Sequence, residues 1–146
     1  AITTVDQSET ILIFTLVPRF DRKKLLNELK VSGITIKVVG IERQSVRLEI
    51  AAPDGLRIAQ TNALLDGPYG GLSLGRFVGQ ELVLFLDRTT PSLDEIIRNP
   101  VQIQVQIQRG NVRLTTRAPK CLTVLRSEVA QRQLGQGINQ RGVKRN

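Results

Sequence analysis

Apolar and polar residues alternate along several short segments of this 146-residue chain. In segment 34–38, isoleucine and valine alternate with threonine and lysine, and in segment 101–107 they alternate with three glutamines. A period of two places every second side chain on one face, which is the pattern of a strand with a single buried face. The alternation therefore predicts a mainly β fold.

The pattern around these two strands occurs twice. Segments 46–53 and 112–119 share the motif V-R-L-x-x-x-A-P at a separation of 66 residues. Each follows an alternating strand after a turn, at 42–45 in the first copy and 108–111 in the second. Gly110 favours a tight hairpin in the second turn, which we expect to be one residue shorter than the first. The chain is therefore interpreted as two diverged copies of one β unit in tandem.

Further elements are predicted at equivalent places in both copies. Asp21 is expected to cap the first short helix, while Ser92 and Glu95 form a capping box for the second. Another helix is predicted at 127–134. The opening strand, helix and closing strand are predicted at 11–17, 21–30 and 56–59 in the first copy and at 82–86, 92–98 and 122–125 in the second.

Composition divides the chain into four segments. Segment 67–80 contains five glycines and one proline, which predicts a linker or long loop. It separates a first β unit at 1–66 from a second at 81–134. Segment 135–146 contains three glycines, three basic residues and no acidic residue, and we expect a basic flexible tail there.

The charge distribution favours a polyanionic partner. The chain has 21 basic and 13 acidic residues, for a net charge of +8. Residues 1–66 have nine basic and eight acidic groups, whereas residues 67–134 have nine and five. A basic second half with a basic tail suits a nucleic acid. The alternative is that the charge serves solubility alone.

Residue types that are rare or missing exclude some classes of function. The chain has no His and one Cys, so the usual zinc sites and Ser-His-Asp or Cys-His catalysis are ruled out. We expect a binding protein without enzymatic activity or cofactor. The single Cys121 fits a reducing cytoplasm. The first ten residues lack the features of a signal peptide, and no apolar run is long enough for a membrane span, so we expect a cytoplasmic protein.

The ordered series of motifs, found twice, resembles the carbon storage regulator family, which are small bacterial RNA-binding proteins that control translation. The match is best over V-V-G-I-E-R-Q-S-V-R-L at 38–48 and V-L-R-S-E-V at 124–129, with A-P after the hairpin in both copies. The resembling copies cover about 10–66 and 80–134. A helix after the opening strand resembles a variant branch of this family.

The resemblance implies an intertwined architecture. Members of the family form homodimers in which each protomer completes the sheet of the other. Because a unit of that size buries little apolar surface alone, fusing two copies would build the pseudo-dimer within one chain. We therefore expect a monomeric chain folded as a tandem pseudo-dimer of two small intertwined β units with short helices.

The resemblance also implies RNA sites between the copies, each pairing the first strand of one with the last strand of the other. Family members recognise GGA in an RNA hairpin loop at such sites. The first site in this chain would join Thr15 and Arg19 with Val124, Leu125 and Arg126. Unstacked loop bases are the usual targets of sequence-specific RNA readers, and arginine offers a bidentate fork to guanine.

The second implied site departs from the family pattern. It would join Asp87 and Arg88 with Ala59 and Gln60. Gln60 stands where the family has an arginine, and the charge of Asp87 repels phosphate. We therefore expect one surviving site.

Two repeated features favour structural roles. Arg47 and Arg113 recur at the same motif position, which favours a structural role over RNA contact. The glutamine row at 102, 104 and 106 is interpreted as an exposed sheet face.

The leading hypothesis is a cytoplasmic RNA-binding translational regulator that recognises GGA-type hairpin loops in mRNA leaders and occludes the ribosome site. The alternative is a protein with a repurposed regulator fold. It would act as a protein-interaction or scaffold module in a larger assembly, with or without RNA, and no membrane partner is expected.

Overall fold

The computed structural model describes residues 2–64, 70–86 and 93–126, with the backbone but not the side chain of Arg126. Within these ranges the protein is mainly β, as predicted, and has ten strands and two helices. The strands are β1 (Ile2–Val5), β2 (Thr10–Leu16), β3 (Ile34–Ile41), β4 (Val46–Ala51), β5 (Leu56–Thr61), β6 (Gly70–Arg76), β7 (Glu81–Leu86), β8 (Val101–Gln108), β9 (Asn111–Ala118) and β10 (Leu122–Arg126). The helices are α1 (Arg22–Val31) and α2 (Leu93–Arg98).

The strands form two antiparallel five-stranded sheets, and each sheet takes strands from both halves of the chain. Sheet A has the order β1-β4-β3-β7-β10, and sheet B has the order β5-β2-β8-β9-β6. Replacing each of β1–β5 by its counterpart in β6–β10 turns the first order into the second read backwards. The protein is therefore an intertwined tandem pseudo-dimer, as expected from the resemblance, with a pseudo-twofold relation between its halves.

The exchanged unit is the pair formed by the opening and closing strands. In sheet B, β2 pairs with β5 from its own half and with β8 from the other half. In sheet A, β7 pairs in the same way with β10 and with β3. Each half thus places its hairpin in one sheet and its opening and closing strands in the other.

Local sequence accounts for the first helix and the second hairpin. The side chain of Asp21 accepts a hydrogen bond of 3.1 Å from the backbone N–H of Lys24, which confirms it as the N-cap of α1. Leu25 and Leu29 are buried on one side of this helix. Gly110 has a φ of 83°, a conformation in which glycine has no steric penalty, in the two-residue turn between β8 and β9.

The length difference between the hairpins lies in a strand, so the expectation of a shorter second turn is wrong. In the first turn the Glu42 N–H donates to the Ser45 carbonyl at 2.8 Å, matching the Gln108 and Asn111 pair of the second turn. The additional residue in the first copy is accommodated by a bulge in β3 between Val38 and Gly40.

Segment 70–76 is strand β6, so the linker predicted at 67–80 is wrong over that part. Leu72, Leu74 and Arg76 alternate in this segment, but its glycines made a loop the expected structure. These three residues lie opposite inward-facing residues of β9. A Cβ at Gly71 would lie 2.7 Å from the Thr116 carbonyl oxygen, so this close approach of β6 and β9 requires glycine. Pairing with β9 thus outweighs the low strand propensity of glycine.

A short strand at the N-terminus also escaped prediction. β1 pairs with β4 at one edge of sheet A, opposite Val46 to Glu49. Only Val5 of this strand is buried, which left too little alternation for sequence reasoning to detect. The predictions for 127–134, for the tail at 135–146 and for Ser92 lie outside the described residues.

The inner faces of both sheets and both helices share one hydrophobic cluster. Leu12 and Phe14 of β2, Ile36 of β3, Leu84 of β7 and Ile103 of β8 belong to it. The cluster therefore joins residues of both halves, and burial of its apolar surface is the main force that holds the halves together.

One polar side chain within this core lacks a hydrogen bond. Thr116 is fully buried on the inner face of β9, and its Oγ1 has no partner within the part of the chain that the structure describes. A buried hydroxyl without a hydrogen bond costs about 1–3 kcal/mol.

We expect Thr116→Val to raise the free energy of unfolding by about 1 kcal/mol, measured by urea denaturation. Thr115→Val, one residue away on the outer face, is the control and should change stability less.

Candidate nucleic-acid interface

The outward faces of the two sheets are equivalent by the pseudo-twofold relation but differ in charge. The strands of sheet B place three basic residues and no acidic residue on this face among the described positions, with arginines at 57, 113 and 117. We call this surface the arginine face. The exposed Glu9 directly precedes β2, and its backbone N–H donates to the Val105 carbonyl of β8 at 2.7 Å. On sheet A the outward face has Lys37 and Arg47 but also Glu49 and Glu81, and we call it the mixed face. The net charges of the two faces are therefore about +3 and zero.

The arginine face results from strand register. Arg113 and Arg117 are four residues apart on β9, so the alternation of the strand puts both on the outward side. Arg57 lies opposite Thr15 at the β5 edge of the same sheet. Gln104 and Gln106, which are half-buried outward residues of β8, add hydrogen-bonding groups without negative charge.

Two of the arginines lie opposite glycines of the edge strand. Arg113 is opposite Gly75 and Arg117 is opposite Gly71 on β6. A Cβ at Gly75 would lie 4.0 Å from Arg113 Nη2, so the half-buried guanidinium lies over this glycine. The Arg113 Nη1 donates to Ser73 Oγ at 3.3 Å, and Ser73 also bonds Thr115 Oγ1 at 3.0 Å. These contacts orient one guanidinium on the face.

The glutamine row is only partly exposed. Gln102 has 1% of its surface accessible, and Gln104 and Gln106 are half-buried. The interpretation of this row as an exposed sheet face is therefore wrong for Gln102. The other two glutamines lie between β2 and the arginines of β9 and are within the arginine face.

Arg47 is exposed and lies against β3, and the structural role that the sequence favoured for it and for Arg113 stays a prediction. It is the counterpart of Arg113, and its guanidinium packs against β3 at the bulge. A Cβ at Gly40 would lie 2.7 Å from Arg47 Nη2, so glycine makes room for this packing. Arg113 differs, because it lies on a face without acidic neighbours.

The structure does not bring together the first site implied by the resemblance. Thr15 is on β2 in sheet B, opposite Arg57. Val124, Leu125 and Arg126 are on β10 in sheet A, opposite Leu84, Val83 and Leu82. The expected pairing of first and last strands from different copies is wrong. The opening and closing strands of one copy pair with each other and lie together in one sheet, and those of the other copy lie together in the other sheet.

Arg19 lies in different surroundings. It is exposed in the loop after β2 and lines a small cavity of about 150 Å³ together with Lys24. Asp21, Glu28 and Asp54 line the same cavity. Three carboxylates beside two basic groups make this position poorly suited to phosphate.

The second implied site is not assembled by strand pairing either. Ala59 and Gln60 are on β5 in sheet B, while β7 belongs to sheet A. Asp87 and Arg88 lie outside the described residues. The Gln60 side chain instead donates a hydrogen bond of 3.2 Å to the Thr4 carbonyl, and thereby links the edge strands of the two sheets.

Sequence reasoning missed the arginine face as a unit. The spacing of Arg113 and Arg117 on a predicted strand was sufficient to place both on one side of it. The addition of Arg57 and the lack of acidic neighbours depend on which strands lie side by side, which the sequence did not show.

Other kinds of site find little support in the described ranges. No group of three His, Cys, Asp or Glu side chains positioned to hold a metal ion occurs in 2–64, 70–86 and 93–126. Neither of the two helices described is long and apolar enough to cross a membrane.

No protein-family model matches this chain, and neither a curated protein nor a solved structure matches it.

Proposed function

We propose that this protein binds RNA through its arginine face and acts as a cytoplasmic translational regulator. The observation that carries the proposal is the contrast between two equivalent faces, of which one has three arginines without an acidic residue and the other is neutral. A cationic surface with adjacent hydrogen-bonding side chains suits phosphates, which dominate nucleic-acid affinity. The contrast favours one RNA site per chain.

The resemblance to carbon storage regulators supports the choice of RNA. In this proposal the target is a hairpin loop of GGA type in an mRNA leader, and bound protein occludes the ribosome site. The role requires binding and no catalysis. The arginine face replaces the site between copies that the resemblance implied.

A mobility-shift titration tests the proposal. A GGA-loop hairpin and a control hairpin with the GGA replaced are titrated at near-physiological salt, with wild-type protein and with Arg126→Ala. We expect the wild type to bind the GGA loop about tenfold or more tightly than the control, since a good base contact is worth about 1–3 kcal/mol. Arg126 is on β10 of sheet A, outside the arginine face, so Arg126→Ala should bind both hairpins as the wild type does. Equal affinity for both hairpins would contradict base-specific recognition.

The second candidate function is a protein-interaction or scaffold module in a larger assembly, with or without RNA. It is favoured by the separation of Thr15 and β10 into different sheets, which leaves the implied RNA site unassembled. This candidate predicts RNA binding that is absent or purely electrostatic. Steep salt dependence without preference between the two hairpins would support it.

A further inference from the structure

A groove of about 700 Å³ lies between the tips of the two hairpins. It is lined by equivalent residues of the two copies, namely Ile41 with Ile107, Glu42 with Gln108, and Arg43 with Arg109. The pseudo-twofold relation between the halves therefore places one side of the groove opposite its counterpart. Its apolar side chains are accompanied by two exposed arginines.

A single turn breaks the symmetry of this groove. Val78, in the turn between β6 and β7, completes the lining and has 56% of its surface exposed. Phe77 beside it is also 56% exposed. The equivalent turn of the first half contains Asp6, Gln7 and Ser8, which are polar or acidic. An exposed apolar turn at only one of two equivalent places indicates a ligand that uses the second half.

The groove lies at the tip of the hairpin that carries two residues of the arginine face. Arg113 and Arg117 lie on β9, four residues apart, and four residues of an extended strand span about 13 Å. Arg109 lies in the turn before β9 and lines the groove. The three arginines therefore follow one another along one hairpin, whose tip borders the groove.

The chemistry of the groove suits a nucleic-acid base. Unpaired bases expose flat apolar rings, which proteins bury against apolar side chains and against the planes of arginine guanidinium groups. Ile41, Ile107 and Val78 offer the apolar contact, and Arg43 and Arg109 offer guanidinium groups at the rim. Glu42 also lines the groove, so two positive charges and one negative charge leave a net charge of about +1, which favours the anionic backbone that brings the base to the groove.

We propose that this groove receives an unpaired base of an RNA whose phosphates lie along the arginine face. The inference rests on the RNA-binding function proposed above and deepens it by naming the class of RNA. A base within a duplex is stacked on both sides and cannot enter the groove, so the protein selects RNA with an unpaired segment over duplex RNA.

Val78→Ser tests the groove without altering charge. Because Val78 is exposed in a turn, the variant is expected to fold like the wild type, as checked by circular dichroism and thermal melting. We expect about a tenfold loss of affinity for a hairpin with an unpaired loop, because the bound base loses its apolar contact with the Val78 side chain. Affinity for a fully paired duplex with the same number of phosphates should be unchanged. Arg43→Gln should likewise weaken the loop RNA more than the duplex.

Gln7→Ser, in the equivalent turn of the first half, is the matched control and should leave both affinities unchanged. Loss of RNA binding in Arg113→Gln with unchanged loop binding in Val78→Ser would overturn the groove inference and leave the RNA function standing. Failure of the wild type to bind either RNA would overturn both. If Val78→Ser altered the sedimentation mass and not the loop affinity, the groove would be an interface between copies, and the inference would be wrong.

Discussion

Leu12→Ala is expected to lower the free energy of unfolding by about 2–5 kcal/mol, because it removes buried methyl groups and leaves a cavity. Leu12 is fully buried on β2 and lies opposite Ile103 of β8, where the two halves of the chain meet in sheet B. A loss of this size is a large part of the 5–15 kcal/mol that holds an ordinary domain folded. Urea denaturation monitored by circular dichroism gives the measurement.

Two further variants make this prediction specific to the intertwined core. Leu82 is the counterpart of Leu12 and lies opposite Ile36 in sheet A, so Leu82→Ala should cost a similar amount. Ile13 is the next residue on β2, faces outward and is half-buried, so Ile13→Ala should cost less. Equal costs for Leu12→Ala and Ile13→Ala would contradict the inward orientation of Leu12.

Replacing Arg113 and Arg117 together by glutamine is expected to lower RNA affinity by about tenfold to a hundredfold at near-physiological salt, since hydrogen bonds to charged groups are among the stronger polar contacts. Each lost phosphate contact should also reduce the slope of log affinity against log salt by about one. The double variant should therefore reduce the slope by about two. Fluorescence anisotropy of a labelled hairpin over a salt series measures both quantities.

Lys37→Gln with Arg47→Gln is the matched control for that double variant. It removes the same charge from the mixed face, and Arg47 is the counterpart of Arg113 in the other half. We expect the control to change the affinity and the slope much less than the double variant on the arginine face. An equal loss in both proteins would mean that affinity follows net charge, and the arginine face would then not be the site.

The contrast between the faces shows how a duplicated unit becomes asymmetric. Glu81 on sheet A and Ile11 on sheet B occupy equivalent places beside the central strands. Glu49 on sheet A has its counterpart in Thr115 on sheet B. Substitutions at such outward positions change the charge of a face while the inward residues that form the shared cluster stay in place. One face can therefore become suited to an anionic partner while the other does not.

Local sequence was sufficient for the elements whose signals lie within a few residues. Period-two alternation located β3 and β8, the Gly110 turn joined β8 to β9, and Asp21 marked the beginning of α1. These features were predictable because strand alternation, turn conformation and helix capping depend on side chains near in sequence. The repeat of V-R-L-x-x-x-A-P also predicted that the two halves share one architecture.

Strand partners, in contrast, were decided by tertiary structure. Thr15 and Arg126 were expected to lie together, yet β2 and β10 belong to different sheets. The reason is that each opening strand pairs with the closing strand of its own half, in the sheet that contains the hairpin of the other half. Strand β6 forms from a glycine-rich segment because β9 offers it a complete ladder of hydrogen bonds.

The sequence by itself determined a duplicated, mainly β chain with a basic second half. Only the tertiary structure decided that Arg57, Arg113 and Arg117 share one face without acidic neighbours. The physical reason is that a strand fixes which of its own residues point to the same side, whereas hydrogen bonding and burial between distant segments fix which strands lie next to it.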